Sequence, residues 1–278
     1  MTYLQRKRLI SVLVQITCLL AGCIIVFPVI YGVLGSFKEP SEFASWPPTF
    51  LPADFSNLSN YQHVFTTVPM IRYLFNSLLV AVVGSALRLT IALLAAYALV
   101  FLPFRGKSIF FVLMIGTMML PGDLVLIANY QTVSAMRLSD TYLGIMITSL
   151  IGASQMFMLR QSFRQAPAAL REASLLDGCG DFRFIAYVLV PISVPVFVTL
   201  FLQSFVALWN VYLWPLVITN TDSMRTVQIG IAMLTTYDGT NFHIVLAGVT
   251  VALLPIFALF LFTRKHISAA MTAGALVG

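Results

Sequence analysis

The sequence predicts an all-α integral membrane protein of six transmembrane helices, and three observations carry that expectation. Of the 278 residues, 59% are hydrophobic and only 9% are charged, whereas soluble domains carry roughly 25% charged residues. Charge this sparse cannot cover a globular surface, so lipid must be part of the solvent. The apolar residues gather into long runs, as a bilayer core of about 30 Å demands, since it takes roughly 20 helical residues to cross. The Lys and Arg residues fall almost entirely between those runs and divide unequally between the two sides.

In chain order the runs cover residues 9–35, 74–101, 108–128, 142–160, 184–208 and 243–263. The fourth is the weakest, because Ser149, Gly152, Ser154 and Gln155 interrupt it. Leaving it out would put the flanking basic loops on opposite sides. The first run follows Arg6, Lys7 and Arg8, as the apolar region of a signal peptide would. It is too long for that and ends at Phe37-Lys38-Glu39-Pro40 without a small-residue cleavage site, so it is expected to remain as the first helix. Residues 1–8 are then a cytoplasmic N-terminus, 9–263 the transmembrane domain and 264–278 a cytoplasmic tail.

This threading puts Arg6, Lys7, Arg8, Arg105, Lys107, Arg160, Arg164, Arg171, Arg183, Arg264 and Lys265 inside. Lys38, Arg72, Arg137 and Arg225 fall outside. Eleven against four satisfies the positive-inside rule with both termini cytoplasmic. Arg88 falls within the second run and completes the sixteen basic residues. The net charge of +6 is accounted for by topology, and no basic stripe interleaved with aromatics points to nucleic acid. Cys18, Cys23 and Cys179 form no disulfide framework. His63, His243 and His266 have no ligand spacing, so neither a metal site nor a catalytic set is expected. Residues 37–71 and 209–242 are long external loops, each too small for a separate domain. No internal repeat of the secondary-transporter kind is visible.

Between the fourth and fifth runs the chain reads Gln165-Ala-Pro-Ala-Ala-Leu-Arg-Glu-Ala-Ser-Leu-Leu-Asp-Gly-Cys-Gly-Asp181. Pro167 suits a first helical position, where its missing N–H costs nothing. Gly178 suits the left-handed residue that ends a helix. A short helix over about 167–178 follows. Ala169, Ala173 and Leu176 recur at i, i+4 and i+7 on one face, while Arg171 and Asp177 project elsewhere. Such a stripe seats in a groove on a partner protein, or rests on the membrane surface as an interfacial helix. The residues alone leave both readings open.

Glu172-Ala-Ser-Leu-Leu-Asp177-Gly178, followed by Pro191 and Pro195, resembles the EAA signature of permease subunits in binding-protein-dependent ABC importers. Ser174 replaces the third residue of the usual Glu-Ala-Ala, and Val190 replaces the usual Leu before Pro191. Asn76-Ser77-Leu78, Met119-Leu120-Pro121, Leu138-Ser-Asp-Thr-Tyr142 and Trp209-Asn210-Val-Tyr-Leu-Trp214-Pro215 extend the likeness across nearly the whole chain. They are similar to the carbohydrate-type subfamily, which includes the second permease subunit of the maltose importer. The tail Met271-Thr-Ala-Gly-Ala275 resembles that subunit's C-terminus, but Leu276-Val277-Gly278 lacks the basic residue commoner before the last Gly.

The resemblance implies a type I ABC importer permease fold in a prokaryotic cell membrane. It makes the segment near 167–178 a coupling helix, with Ala169, Glu172, Ala173, Ser174, Leu176, Asp177 and Gly178 at the contact with an ATP-binding subunit. The chain has no Gly-x-x-x-x-Gly-Lys-Ser/Thr run, so ATP and Mg belong to two separate ATPase subunits and the chain holds no cofactor. The other implied partners are a second permease subunit and an extracytoplasmic solute-binding protein. The implied mechanism is alternating access. A di- or oligosaccharide is the favoured cargo, with glycerol 3-phosphate or a glycerophosphodiester as the alternative.

The candidate pathway residues each carry two readings. Pro191 and Pro195 each remove a helical hydrogen bond, which makes a hinge beside a gate or a fixed kink for packing. Gln155, on the small and polar face of the fourth run, lines a pathway or packs against another helix. Arg88 binds an anionic or polyol substrate group, or pairs with Asp123 or a partner subunit, because a charge at membrane depth needs protein or water. Trp209 and Asn210 stack on and hydrogen-bond a sugar, or join Tyr212 and Trp214 as interfacial aromatics. An ion-coupled secondary transporter would want acidic residues within the runs, and Asp123, near an outer end, is the sole candidate. A membrane enzyme would need a metal cluster or nucleophile–base pair, and none stands out.

Overall fold

Away from water a backbone must satisfy its own N–H and C=O groups, so long apolar segments become helices. A computed structural model describes the backbone of residues 3–237 and 241–275, and the side chains of 10–122, 124–235 and 241–264. All regular structure among the described residues is helical. The chain begins with α1 (Tyr3–Gly35), α2 (Pro40–Ala44), α3 (Ser59–Thr67), α4 (Met70–Phe101) and α5 (Lys107–Thr117). A 3-10 turn at Gly122–Val125 leads into α6 (Leu126–Ala135), α7 (Tyr142–Ile147), α8 (Ala153–Gln165) and α9 (Ala168–Leu176). Next come α10 (Asp181–Phe184), a π-helical turn at Ile185–Leu189, α11 (Val190–Ile192), α12 (Val194–Trp209) and α13 (Leu213–Ile218). The chain closes with α14 (Val227–Tyr237) and α15 (Phe242–Ala275).

Three of these helices are long and apolar enough to cross a bilayer, over Ile10–Gly35, Met70–Phe101 and Phe242–Arg264. Asp181–Ile192 and Val194–Trp209 make a fourth if taken as one span, but they meet at 85°. That bend falls at Ser193, between Pro191 and Pro195. The remaining two predicted spans, 108–128 and 142–160, are not single helices. The first breaks after Thr117, where a turn runs into Pro121 and Gly122, and resumes as α6. The second breaks over Thr148–Gly152 between α7 and α8. Hydrophobicity registers the medium a segment sits in. It does not register whether the hydrogen-bond ladder is continuous.

The chain divides into two units, residues 1–68 with 231–254 and residues 69–230 with 255–278. In the first, the apolar window of α1 is wholly exposed. Such a helix has lipid or another chain as its partner. Lys38, expected among the outer charges, is buried: its ammonium donates to the Thr49 carbonyl and lies 5.6 and 5.7 Å from the Tyr31 and Phe43 ring centroids. The amide of Asn60 on α3 donates to the carbonyls of Ser36 and Lys38 at 2.8 and 2.9 Å, which satisfies acceptors left open where α1 ends.

The second unit is built on α4, α8 and α12. Toward one end, Leu89, Ala92 and Ala96 of α4 pack with Leu159 and Phe163 of α8, together with Phe184, Leu189 and Leu200. Toward the other, Val80, Val133, Ile145, Met146, Trp214 and Ile218 form a second cluster. Gly84 admits α12 closely, since a Cβ there would lie 2.9 Å from Leu208 Cδ1. The indole of Trp214 is buried and donates to the carbonyls of Gly144 and Ile145, each at 3.1 Å. It is a tertiary anchor and not an interfacial aromatic. The segments 37–71 and 209–242, expected as loops, carry α2 and α3 in one case and α13 and α14 in the other.

Asp140 ties the α6–α7 turn to the segment after α13. At φ 54° it is left-handed, a conformation Asp tolerates. One carboxylate oxygen accepts from the backbone N–H of Asn220 at 2.7 Å and of Thr221 at 3.0 Å. Burial pushes this carboxyl up, but the donors on Thr221 and Asn220 outweigh it and hold it below the usual value of 3.8. A depressed folded-state value means that the stabilisation is complete above the unfolded value and is lost as pH falls through the folded one. Asp140→Asn is therefore expected to lower Tm at pH 7 by about 2 °C. Thermal scans of both proteins in detergent should show that gap narrowing as the pH falls below 3.8. A gap independent of pH would refute the assignment.

Candidate functional site

The segment from Pro167 to Asp181 assembles from local rules. Pro167 is the N-cap (φ −57°, ψ 129°) and not the first helical residue, so α9 begins one position later than expected and runs for nine residues. Gly178 is left-handed at φ 71°. Its N–H donates to the Leu175 carbonyl at 3.1 Å, and the Cys179 N–H donates to the Ser174 carbonyl at 2.8 Å. This pair of bonds is a Schellman cap, which satisfies carbonyls otherwise stranded at the helix end.

Ser174 is buried, with its hydroxyl donating to the Arg171 carbonyl at 2.7 Å. Arg171 faces the same way. Its guanidinium donates to an Asp181 carboxylate oxygen and lies 4.8 Å from the Phe184 ring centroid. That same oxygen accepts from the Tyr97 hydroxyl of α4 at 2.6 Å. So α9 is fastened through one carboxylate to both α10 and α4.

The opposite face is bare. Ala169, Glu172, Ala173 and Leu176 share one stripe and all are exposed. Leu176 is 90% exposed, an apolar side chain with nothing to cover it. The Glu172 carboxylate makes no hydrogen bond or ion pair among the described residues; the local partner it could have used, Arg171, is engaged with Asp181. Asp177 is the C-cap and is also exposed. The structure thus brings all seven residues expected at a partner contact onto one short, capped helix. Ser174 alone turns inward, toward the chain's own core.

The pathway candidates lie apart from this helix. Arg88 Nε donates to the Ser149 carbonyl in the break between α7 and α8. Its alternative partner, the side chain of Asp123, lies outside the described residues. Gln155 is buried in α8, accepts from Ser154 at 2.9 Å and donates to Ser204 of α12 at 3.2 Å. Trp209 is 1% exposed and stacks on Phe205 at 5.7 Å, so a sugar would have to displace Phe205 from that face. Asn210 is exposed, donates to the Val206 carbonyl at 2.9 Å and accepts from Gln228 at 3.2 Å. Pro191 and Pro195 flank the 85° bend. Sequence reasoning missed the Arg171–Asp181–Tyr97 tether. The pairing of Arg171 with Asp181, ten residues on, could have been sought, but nothing local marks Tyr97. The tail residues Leu276, Val277 and Gly278, and the side chains of Met271–Ala275, lie outside the described residues.

Comparison with known proteins places this geometry in context. The chain is 29% identical over 258 residues to the arabinooligosaccharides transport system permease protein AraQ of Halalkalibacterium halodurans, covering 92% of each chain. It is 28% identical over 269 residues to the sn-glycerol-3-phosphate transport system permease protein UgpE of Yersinia enterocolitica, covering 94% of this chain and 96% of that one. Its fold matches that of a chain in the crystal structure of a bacterial ABC transporter involved in alginate import, with TM-score 0.79 and 21% identity, over 95% of this chain and 99% of that one. The model of the binding-protein-dependent transport system inner membrane component matches residues 88–272. That range holds α9, its cap, its tether and the bent pair, and the chain belongs to this family of inner membrane components.

Proposed function

We propose that this permease moves a sugar inward by alternating access, driven by ATP hydrolysis on two separate subunits that engage α9. The observation that carries the reading is the outward stripe of Ala169, Glu172, Ala173 and Leu176, rigidly held and uncovered within the chain. A capped helix with a bare apolar residue and an unpaired carboxylate has the chemistry of a docking element. In this reading the chain crosses the membrane six times with both termini in the cytoplasm. The broken segments around α5–α6 and α7–α8 then serve as the third and fourth crossings, and α1 and the exposed helix faces meet lipid or a second permease subunit. The chain itself performs no catalysis and holds no cofactor, while its ATPase partners bind ATP and Mg. An extracytoplasmic binding protein delivers the cargo.

The AraQ relative favours an oligosaccharide as cargo. A second reading, glycerol 3-phosphate or a glycerophosphodiester, draws support from the UgpE relative and from the cation of Arg88 within α4. The test is reconstitution with the partner permease, ATPase and binding protein in liposomes. Uptake that requires internal ATP and the loaded binding protein is expected; proton-driven uptake by an isolated homodimer would sink the proposal. In the same system Arg88→Gln separates the cargoes. Uptake of a neutral oligosaccharide is expected to fall by less than about threefold, because Arg88 is engaged by the Ser149 carbonyl. A loss of about tenfold or more in anionic substrate uptake would favour the second reading.

A further inference from the structure

A second concave feature lies on the α9 end of the second unit, beside the bare stripe and separate from it. It is a cavity of about 410 Å³ between the end of α4, the start of α5, the end of α8 and the start of α9. That volume is in the range of small-molecule sites. Among the described residues three cations line it, Lys107, Arg160 and Arg164, with the hydroxyl of Ser108 and no carboxylate. None of the three is in an ion pair among the described residues. The Arg160 guanidinium lies 3.9 Å from the Phe111 ring centroid, and its Nε is buried without a hydrogen-bond partner.

Two helix N-termini add to the positive field. α5 begins after Gly106 and α9 after Pro167, neither with a side-chain cap, and Lys107, Ser108 and Ala168 of their first turns all line the cavity. The first N–H groups of a helix have no partner within it and favour an anion. Three cations and two uncapped helix starts therefore line one place. Beyond it, α5 exposes Ile109, Val112 and Leu113, each about two thirds exposed, in a continuous apolar track.

We propose that this cavity binds the phosphate of an anionic phospholipid, with the acyl chains lying along α5. The shared chemistry is a phosphate oxyanion, and the adjoining apolar track selects a lipid over a free phosphate. The site concerns how the permease is seated in its membrane and does not depend on what α9 engages.

The experiment places the full-length chain, in the complex in which it is expressed, into nanodiscs of phosphatidylcholine with a minor share of phosphatidylglycerol. Native mass spectrometry then reads which lipid stays bound after extraction. The wild type should retain phosphatidylglycerol with about tenfold enrichment. A Lys107→Gln, Arg164→Gln double variant changes two peripheral cations and should fall to about twofold or less. Arg160→Gln should show the same loss, with a Tm measurement to exclude misfolding because Arg160 stacks on Phe111. Equal enrichment in the wild type and the double variant would overturn the proposal. Stripping of the lipid by millimolar inorganic phosphate would assign the site to free phosphate and overturn the lipid source. Displacement by added ATPase subunits would make the cavity a protein contact and overturn it as well. Each of these failures leaves the uptake assay untouched, so the lipid site and the transport reading can fall separately.

Discussion

Replacing Glu172 by Arg is expected to leave the permease folded and to reduce ATP-driven uptake by about 10- to 100-fold. The chain itself loses nothing, because the carboxylate is exposed and Arg171 already holds Asp181. Substitutions at such surface positions stay within about 0.5 kcal/mol. Across a docked interface the balance differs. A hydrogen bond to a charged group is worth about 1.5–3 kcal/mol, and reversing its sign adds repulsion from whatever cation it met. The measurement is substrate uptake beside ATP hydrolysis in the reconstituted importer, with Tm as the folding control. Hydrolysis that continues while uptake collapses is the expected signature. Normal uptake by the variant would remove Glu172 from the contact.

Gly144→Ala is expected to act on the fold itself. A Cβ at this position would lie 2.0 Å from the Leu138 carbonyl oxygen and 3.3 Å from Thr141 Oγ1. The neighbour is backbone, already accepting the Thr141 hydroxyl at 2.7 Å, while that hydroxyl accepts the Gly144 N–H at 3.0 Å. To reach an ordinary contact of 3.4 Å, the first turn of α7 must move by about 1.4 Å, which also drags the Gly144 carbonyl from Trp214. Overpacking typically costs about 1–3 kcal/mol, and a backbone obstacle puts this case at the upper end. A Tm lower by roughly 6–12 °C follows for a chain of this size. Thermal unfolding followed by size-exclusion chromatography checks it, and an unchanged Tm would show that the turn yields more easily than its bonds imply.

What the sequence made legible was local. α9 and the left-handed Gly178 were readable because Pro and Gly punctuate a backbone through their own sterics, and the stripe from Ala169 to Leu176 needs only helical periodicity. The interruptions of the third and fourth runs were harder. Ser149 and Gly152 signalled weakness without saying that the helix stops, and the apolar run 108–128 continues through Pro121 although the helix does not. Trp214 was misassigned because an aromatic at the end of an apolar run suits a membrane interface and a buried anchor equally well. Its true partners are carbonyls about seventy residues earlier. Arg88 presents the same difficulty: its acceptor is a backbone oxygen sixty-one positions away, and backbone acceptors carry no sequence signature. The cationic cavity escaped notice for a related reason, since its walls come from two stretches, 99–108 and 160–168, that lie far apart in sequence.

The shared carboxylate of Asp181 has a mechanical consequence. With a closed cap at one end and a guanidinium clamp on its inner side, α9 has little slack. In the proposed coupling, a push on its bare stripe reaches the head of the bent pair through Asp181 and Phe184, and reaches α4 through Tyr97 on the same carboxylate. From that head the chain runs only through the π-helical turn and α11 before the 85° corner at Ser193. In the proposed coupling the clamp and the corner therefore lie on one short stretch of chain, with few residues between the point of load and the bend.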